Sequence, residues 1–430
     1  MLTRLRLERF KNFKDAEIHL GPFSVLIGAN ASGKSNIRDA LRFLHGISRG
    51  YTIPEILGEK YIEGGVLQWR GIRGGLREAT YSGESAFAIT VDIQFKDFED
   101  IEDERVTYSI IIEPQAREQK SRVVREYLNV GQNVIFDSSF PGFPTGKLIM
   151  HPQYLVGYIA VTEDSKNKRM PIFSPHQPVL TQMVEHFDDI GEEHAAIPAI
   201  RLIKWILAQF RSMRFLDLDP EAMRIPSNPG QTILGDRGEN LSSVLQAICE
   251  DPQKKLALVE WIQELTPMDV CDLEFREDLT GKILVYLVEE NGQTTSAYSA
   301  SDGTLRFLAM LAAFLDPNPS KFYFFEELEN GLHPVRLHLL MELIENKASQ
   351  GLIQTVATTH SPQLLRFLSK DSLEHASLLY RLPDSPKGRV KRIMDIPDIR
   401  EILEEQDLAA LHESGWFEDS MFFLEPEESE

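Results

Sequence analysis

Residues 28 to 35, GANASGKS, fix more of this chain's architecture than any other stretch. Before them, Phe23, Val25, Leu26 and Ile27 read as a short buried strand. After them, Asn36 to His45 read as a helix with Ile37, Leu41 and Leu44 at helical spacing. A strand, a glycine-rich turn and a helix in that order make a phosphate cradle. Gly28 and Gly33 let the backbone curl so that successive N–H groups point inward, and the helix adds its positive N-terminal end. Lys34 is then expected to reach the β- and γ-phosphates, and the Ser35 hydroxyl to ligate Mg²⁺. The pattern GxxxxGK[ST] arises by accident in roughly one chain of this length in a hundred. The strand and helix around it make accident rarer still, so nucleotide binding is expected.

At 430 residues the chain can bury a large core and exceeds one usual domain, so one big domain with an insertion, or two lobes, is expected. Two cysteines, Cys249 and Cys271, leave no disulfide framework and no thiolate metal cluster, which suits a reducing compartment. Leu2 to Leu7 already alternate as a strand, so no signal peptide is expected. The longest apolar run, Phe307 to Leu315, is too short to span a bilayer. A soluble, cytoplasmic protein without membrane contact is expected. The formal charge of −21 argues against coating a broad surface with DNA. Acid gathers at 97–104 (DFEDIEDE) and 425–430, and base at 70–77, 117–125, 166–169 and 387–392. Those basic runs leave room for DNA contact through local patches.

Along the chain, residues 2–9 and 15–20 read as strands around the turn at 11–14. Phe87, Ile89, Val91, Ile93 and Phe95 alternate with Ala88, Thr90, Asp92 and Gln94, and 106–112 and 123–130 repeat the pattern. Such alternation marks half-buried antiparallel strands. From 165 to 268 the period becomes helical, over 179–186, 197–210, 241–249 and 252–265, with Asn240 and Asp251 as N-caps. A proline- and glycine-rich loop fills 217–238, and strand character returns at 282–288. The expected organisation is 1–164 with the phosphate loop and antiparallel strands, 165–268 as a helical insertion, and 269–430 with the remaining site motifs and a tail.

Three motifs follow. Ser301, Asp302, Gly303 and Thr304 open a helix that stops at Asp316-Pro317, and a serine and glycine there suit contact with a phosphate. Phe322 to Phe325 read as a fully buried strand ending in Glu326 and Glu327. Two carboxylates at the end of such a strand are costly unless used. Beside a nucleotide, Glu326 can hold the Mg²⁺ shell and Glu327 can orient the attacking water. Ile353 to Ala357 read as another buried strand, followed by Thr358, Thr359 and His360, which can hydrogen-bond a γ-phosphate or the water.

Walker A at 28–35, a signature-like SDG at 301–303, Walker B at 322–327 and a switch histidine at 360 resemble the ABC-type ATPase heads of the RecF, SMC and OLD proteins. The wording GANASGKSN, SDGTLR, EELENGLHP and TTHSP is similar to that of stand-alone RecF/OLD-like AAA-family ATPases. The likeness covers roughly 1–50 and 230–365. It implies an α/β P-loop NTPase of ABC type, with a mixed sheet core, an antiparallel β-lobe and a helical insertion. It also implies a Mg²⁺-dependent ATPase that forms a homodimer with ATP sandwiched between subunits. Gly28, Asn30, Gly33, Lys34, Ser35 and Asn36 of one subunit would bind ATP, and Ser301 and Gly303 of the other would cap its γ-phosphate. Ser35 and Glu326 would hold the metal, Glu327 would be the catalytic carboxylate and His360 the switch residue. Lys14 matches a basic residue that reaches the nucleotide in related heads. Two departures matter. Glu326 stands where aspartate is the rule, and the Q-loop glutamine has no decisive context, with Gln68, Gln94 and Gln153 as candidates.

The stretch from 361 to 430 is too short for the TOPRIM domain of OLD nucleases, so any nuclease would be another chain. By resemblance the expected role is the ATPase sensor or scaffold of a defence system that controls a separate nuclease or toxin. The alternatives are a RecF-like repair ATPase that clamps DNA when ATP-bound, and a nucleotide-gated scaffold with negligible turnover.

Overall fold

The computed structural model describes residues 1–95, 105–114, 121–139, 155–159, 172–190, 197–265, 269–316, 319–383 and 385–424. The acidic run at 97–104, the basic run at 166–169, the tail at 425–430, part of the basic run at 117–125, Gln153 and Pro317 lie outside the described residues. Strands are numbered in chain order.

The core is a sheet in the order β12 (Met213–Leu216), β16 (Phe322–Phe325), β17 (Gln354–Thr359), β3 (Phe23–Ile27), β18 (Ala376–Tyr380), β19 (Arg389–Arg392). β12, β16, β17, β3 and β18 run parallel and β19 pairs antiparallel at the edge. Every residue of β3, β16, β17 and β18 is buried, as parallel strands covered on both faces require. Successive residues of these strands point to opposite faces. Val25, Ile27, Tyr323 and Phe325 enter one hydrophobic core, while Leu26, Phe322 and Phe324 enter the other. Because the strands are parallel and in register, with Thr359 opposite Ile27 and Phe325 opposite Ala357, their C-terminal ends meet at one edge. The loops that leave that edge carry residues 28–35, 326–333 and 360–361, the usual place for a ligand in an open α/β sheet.

A second, antiparallel sheet has the order β11 (Ile172–Phe173), β10 (Leu155–Ile159), β9 (Asn133–Ser139), β8 (Arg122–Val130), β7 (Arg105–Glu113), β6 (Phe87–Gln94), β1 (Leu2–Phe10), β2 (Phe13–His19). The helix Lys34–Ser48 shares a core with it through Ile37, Leu41 and Leu44, which pack with Leu5, Phe10 and Phe87. The alternation over 87–95, 106–112 and 123–130 is thus a real sheet. Smaller sheets are β4 (Glu59–Ile62) with β5 (Val66–Arg70), and β13 (Val270–Glu277), β14 (Ile283–Glu289) and β15 (Thr294–Ser296).

The stretch read as a helical insertion holds the expected helices Val179–Ile190, Ile197–Arg211, Leu241–Cys249 and Pro252–Leu265. It also holds β12, which pairs in parallel with β16 and so belongs to the core sheet. Four residues without alternation, MRFL, gave no strand signal of their own. Asp251 accepts from the Gln253 N–H at 2.9 Å as a cap should. Asn240 holds the N-cap position, but its side chain makes no cap bond and instead accepts from Gly235 N–H and donates to the Ile233 carbonyl, both at 2.8 Å. Among the described residues no helix is long and apolar enough to cross a membrane.

Candidate nucleotide site

The loop after β3 is built as a cradle. A Cβ on Gly28 would lie 2.3 Å from the Leu379 carbonyl oxygen and 2.8 Å from Ser32 Oγ, so only glycine fits against β18. Gly33 has φ of 117°, and a Cβ there would lie 2.6 Å from the Phe13 ring. Gly28 N–H donates to the Thr359 carbonyl at 3.3 Å, tying the loop to the end of β17. Lys34 is 8% exposed, and its ammonium donates to the carbonyls of Gly28 and, at 3.0 Å, Ala29. Burial pulls its pKa below the ordinary value, opposed by the nearby carboxylates of Glu327, Glu329 and Glu326. Ser32 Oγ is buried and has no hydrogen-bond partner among the described residues. Asn30 stands exposed in the loop, and Asn36 Nδ2 donates to Asn12 Oδ1 at 2.6 Å.

Two carboxylates leave β16 in different directions. Glu326 N–H donates to the Leu216 carbonyl at 3.0 Å, and its Oε1 accepts from Arg38 Nη1 at 2.9 Å and Arg73 Nη2 at 3.3 Å. Arg73 Nη2 also donates to the Ser35 carbonyl at 2.8 Å, so one guanidinium bridges Ser35 and Glu326. Glu327 has φ of 48°, a left-handed conformation that a non-glycine residue adopts only when its surroundings hold it there. What holds it is its N–H, donating to Thr358 Oγ1 at 3.0 Å, and its Oε2, accepting from Asn330 Nδ2. Its Oε1 lies 3.5 Å from His360 Nδ1. Glu329, two residues on, is buried and accepts from the Thr359 hydroxyl at 2.7 Å.

The helix Asp302–Leu315 begins in a third group. Ser301 Oγ caps it, accepting from Thr304 N–H at 3.2 Å, and Arg224 Nη2 donates to Asp302 Oδ1 at 2.7 Å. A Cβ on Gly303 would lie 2.3 Å from the Gly331 carbonyl oxygen, so this helix start is pressed against the loop that follows Glu327.

The structure therefore gathers Gly28, Gly33, Lys34, Ser35, Glu326, Glu327 and His360 at one sheet edge, and sets Gly303, in the helix that Ser301 caps, against Gly331. Lys14 is exposed on β2, whereas Asn12 of the same turn reaches the phosphate loop, its Nδ2 donating to the Ser32 carbonyl at 3.3 Å. Gln68 is exposed on β5, and Gln94 ends β6 with its N–H donating to the Met1 carbonyl at 2.8 Å. The sequence reading missed Asn12, Arg38, Arg73 and Glu329. Only Glu329 had a local signal, as a third acid in EELEN; the partners of the others lie far along the chain.

These residues fit a nucleotide with a divalent cation. The glycine cradle, a Ser32 hydroxyl without a partner among the described residues and an ammonium bonded to carbonyls of its own loop suit phosphate oxygens. The Ser35 hydroxyl and the Glu326 carboxylate offer hard oxygen donors for the cation.

A family model described as AAA domain, putative AbiEii toxin, Type IV TA system, matches residues 23–366. The chain is 23% identical over 389 residues to an ATP/GTP phosphatase of Helicobacter pylori, covering 86% of this chain and 88% of that protein. A segment of 63 residues is 40% identical to the DNA replication and repair protein RecF of Acinetobacter baumannii, over 14% of this chain and only 17% of RecF. Among solved structures, the SMC head bound to the C-winged helix domain of ScpA superposes with a TM-score of 0.49 at 14% identity, covering 91% of this chain and 97% of that one. The SMC head domain from Thermotoga maritima gives 0.42 at 12% identity, covering 91% and 98%.

Proposed function

We propose, since this chain belongs to the AAA domain family described as putative AbiEii toxin, Type IV TA system, that it is an ATP-hydrolysing switch. The observation that carries this reading is the meeting of Lys34, Glu327 and His360 at the ends of three adjacent parallel strands. On ATP entry, phosphate oxygens replace the carbonyls of Gly28 and Ala29 as partners of the Lys34 ammonium. The loop N–H groups and the Lys34–Ser48 helix start take the remaining phosphate charge. Glu327 then orients and deprotonates the attacking water, and His360, 3.5 Å away, donates to the γ-phosphate or steadies Glu327. Ser35 and Glu326 would hold Mg²⁺, which supplies charge neutralisation across the phosphates. The relative named ATP/GTP phosphatase, which aligns along most of both chains, supports the hydrolytic reading.

The test is ATP turnover beside ATP binding. Glu327→Gln is expected to lower kcat by about 10²- to 10⁴-fold, the range for losing a positioned base, while ATP still binds. Lys34→Ala is expected to lose binding itself. A Glu327→Gln variant that hydrolyses ATP as fast as the unmodified protein sinks this reading.

For the biological role, the toxin–antitoxin description of the family supports a defence setting, and the role proposed within it is an ATPase that controls a separate nuclease or toxin. A second reading, a RecF-like ATPase acting on DNA, is favoured by the 40% identity over 63 residues to RecF. Pull-down of Glu327→Gln from the native host separates them. A stoichiometric nuclease-like or toxin-like protein supports the first, and DNA with repair proteins alone supports the second.

A further inference from the structure

The hydrolytic scheme leaves one buried acid of the site without a task. Glu329 is 7% exposed in the turn between β16 and the helix Pro334–Ser349. Its Oε1 accepts from the Thr359 hydroxyl at 2.7 Å and from the His360 N–H at 3.4 Å. Its Oε2 is buried and has no hydrogen-bond partner among the described residues. Keeping a carboxylate there is unfavourable unless it fixes something. On the other side of the same residue, the His360 carbonyl lies 3.3 Å from His412 Nε2, on the helix Leu408–Glu413. A carbonyl only accepts, so His412 Nε2 carries the proton. Both main-chain polar groups of His360 are thus held, one from each side, while its ring points at Glu327 3.5 Å away.

We propose that Glu329 and His412 are positioning residues that aim the His360 ring at Glu327. This rests on the reading of Glu327 and His360 as the hydrolytic pair. Two further ties fix the frame in which Glu329 acts. Glu327 N–H donates to Thr358 Oγ1 at 3.0 Å, and Leu328 N–H donates to the Thr358 carbonyl at 3.4 Å. The loop after β16 is therefore stitched to the end of β17 over three successive residues, and Glu329 is the stitch that reaches His360. His412 brings the C-terminal helices into the same unit. Arg366, just beyond His360, is paired with Glu413 at 2.9 Å beside it.

The test is NMR of the full chain carrying ¹³C-labelled histidine, with the His360 ring signal assigned by its loss in His360→Gln. At one fixed pH, Glu327→Gln removes the charge beside the ring and moves that signal. In a Glu329→Ala background the movement is expected to shrink by about threefold or more, the mark of lost coupling between the two residues. Glu329→Gln keeps an acceptor oxygen and is expected to keep most of the movement. His412→Ala, at a half-buried position outside the loop after β16, is expected to reduce it as well and carries the test if Glu329→Ala does not fold. The same movement in every background overturns the proposal. In turnover, Glu329→Ala is expected to lower kcat by roughly tenfold or more with KM little changed, the signature of a misaimed group. Because the NMR signal needs no hydrolysis, an unmodified chain that fails to turn over ATP defeats the hydrolytic reading, while the coupling still decides this one.

Discussion

Glu126 is fully buried and illustrates how a single residue can set a pH dependence. Its carboxylate accepts from the N–H groups of Val179 and Leu180, at 2.6 and 2.8 Å, and from the Tyr108 hydroxyl at 3.0 Å. Burial outweighs these bonds and pushes its pKa from 4.5 up to about 7. The folded chain then holds a proton that the unfolded chain releases between those two values. The resulting stability is complete below pH 4.5 and is lost as pH rises through about 7, a change of about 3 kcal/mol. Urea unfolding at pH 5 and pH 8 is expected to give a difference between the two pH values that is smaller by about that amount in Glu126→Gln. Equal differences in both proteins would rule out the burial argument. Nothing in REYLNV marks Glu126 as buried, because its partners come from β7 and from a helix more than fifty residues later. The same distance hid Arg38 and Arg73, whose shared partner Glu326 lies on the far side of the chain's sequence. Lys34 was legible for the opposite reason: its partners are the loop's own carbonyls.

Elements with a local pattern, the phosphate loop and the alternating strands among them, were readable, and β12, which exists only through its pairing, was not. The phosphate loop carries its geometry in its own glycines. Gly28→Ala would set a methyl group 2.3 Å from the Leu379 carbonyl oxygen, which belongs to the backbone of β18 and cannot swing away. The variant is expected to lose ATP affinity by tenfold or more and to melt several degrees lower, at a cost of about 1–3 kcal/mol. Calorimetric binding and a thermal melt read the two effects separately, and an unchanged affinity would contradict the cradle. β12 shows the reverse case. MRFL is too short to alternate, and becomes a strand because β16 offers a free edge and because Phe215 and Leu216 find opposite cores. Strand order is similarly a product of packing. β17 lies between β16 and β3, so the Walker B strand is one place removed from the phosphate-loop strand in the sheet.

At the scale of the whole molecule, one parallel sheet separates two hydrophobic cores, with the phosphate-loop helix on one face and the Asp302–Leu315 helix on the other. That division leaves Ser301 exposed at the start of an otherwise buried helix, in contact with Thr304, while Gly303 is pressed on Gly331. Neither is described in contact with the chain's own phosphate loop. The proposed dimer has Ser301 and Gly303 touch a nucleotide held by a second copy, with ATP as the link between the two. The consequence is measurable as mass. Glu327→Gln with ATP is expected to double in mass by light scattering, and Lys34→Ala with ATP to remain single. Ser301→Glu places a negative charge where a phosphate would lie and is expected to keep the Glu327→Gln chain single while still binding ATP. The lost cap costs that exposed helix start about 1 kcal/mol, too little to unfold a domain of this size. A chain that doubles with Ser301→Glu in place would move the dimer contact away from the signature helix, and one that never doubles would leave the ATP site working within a single copy.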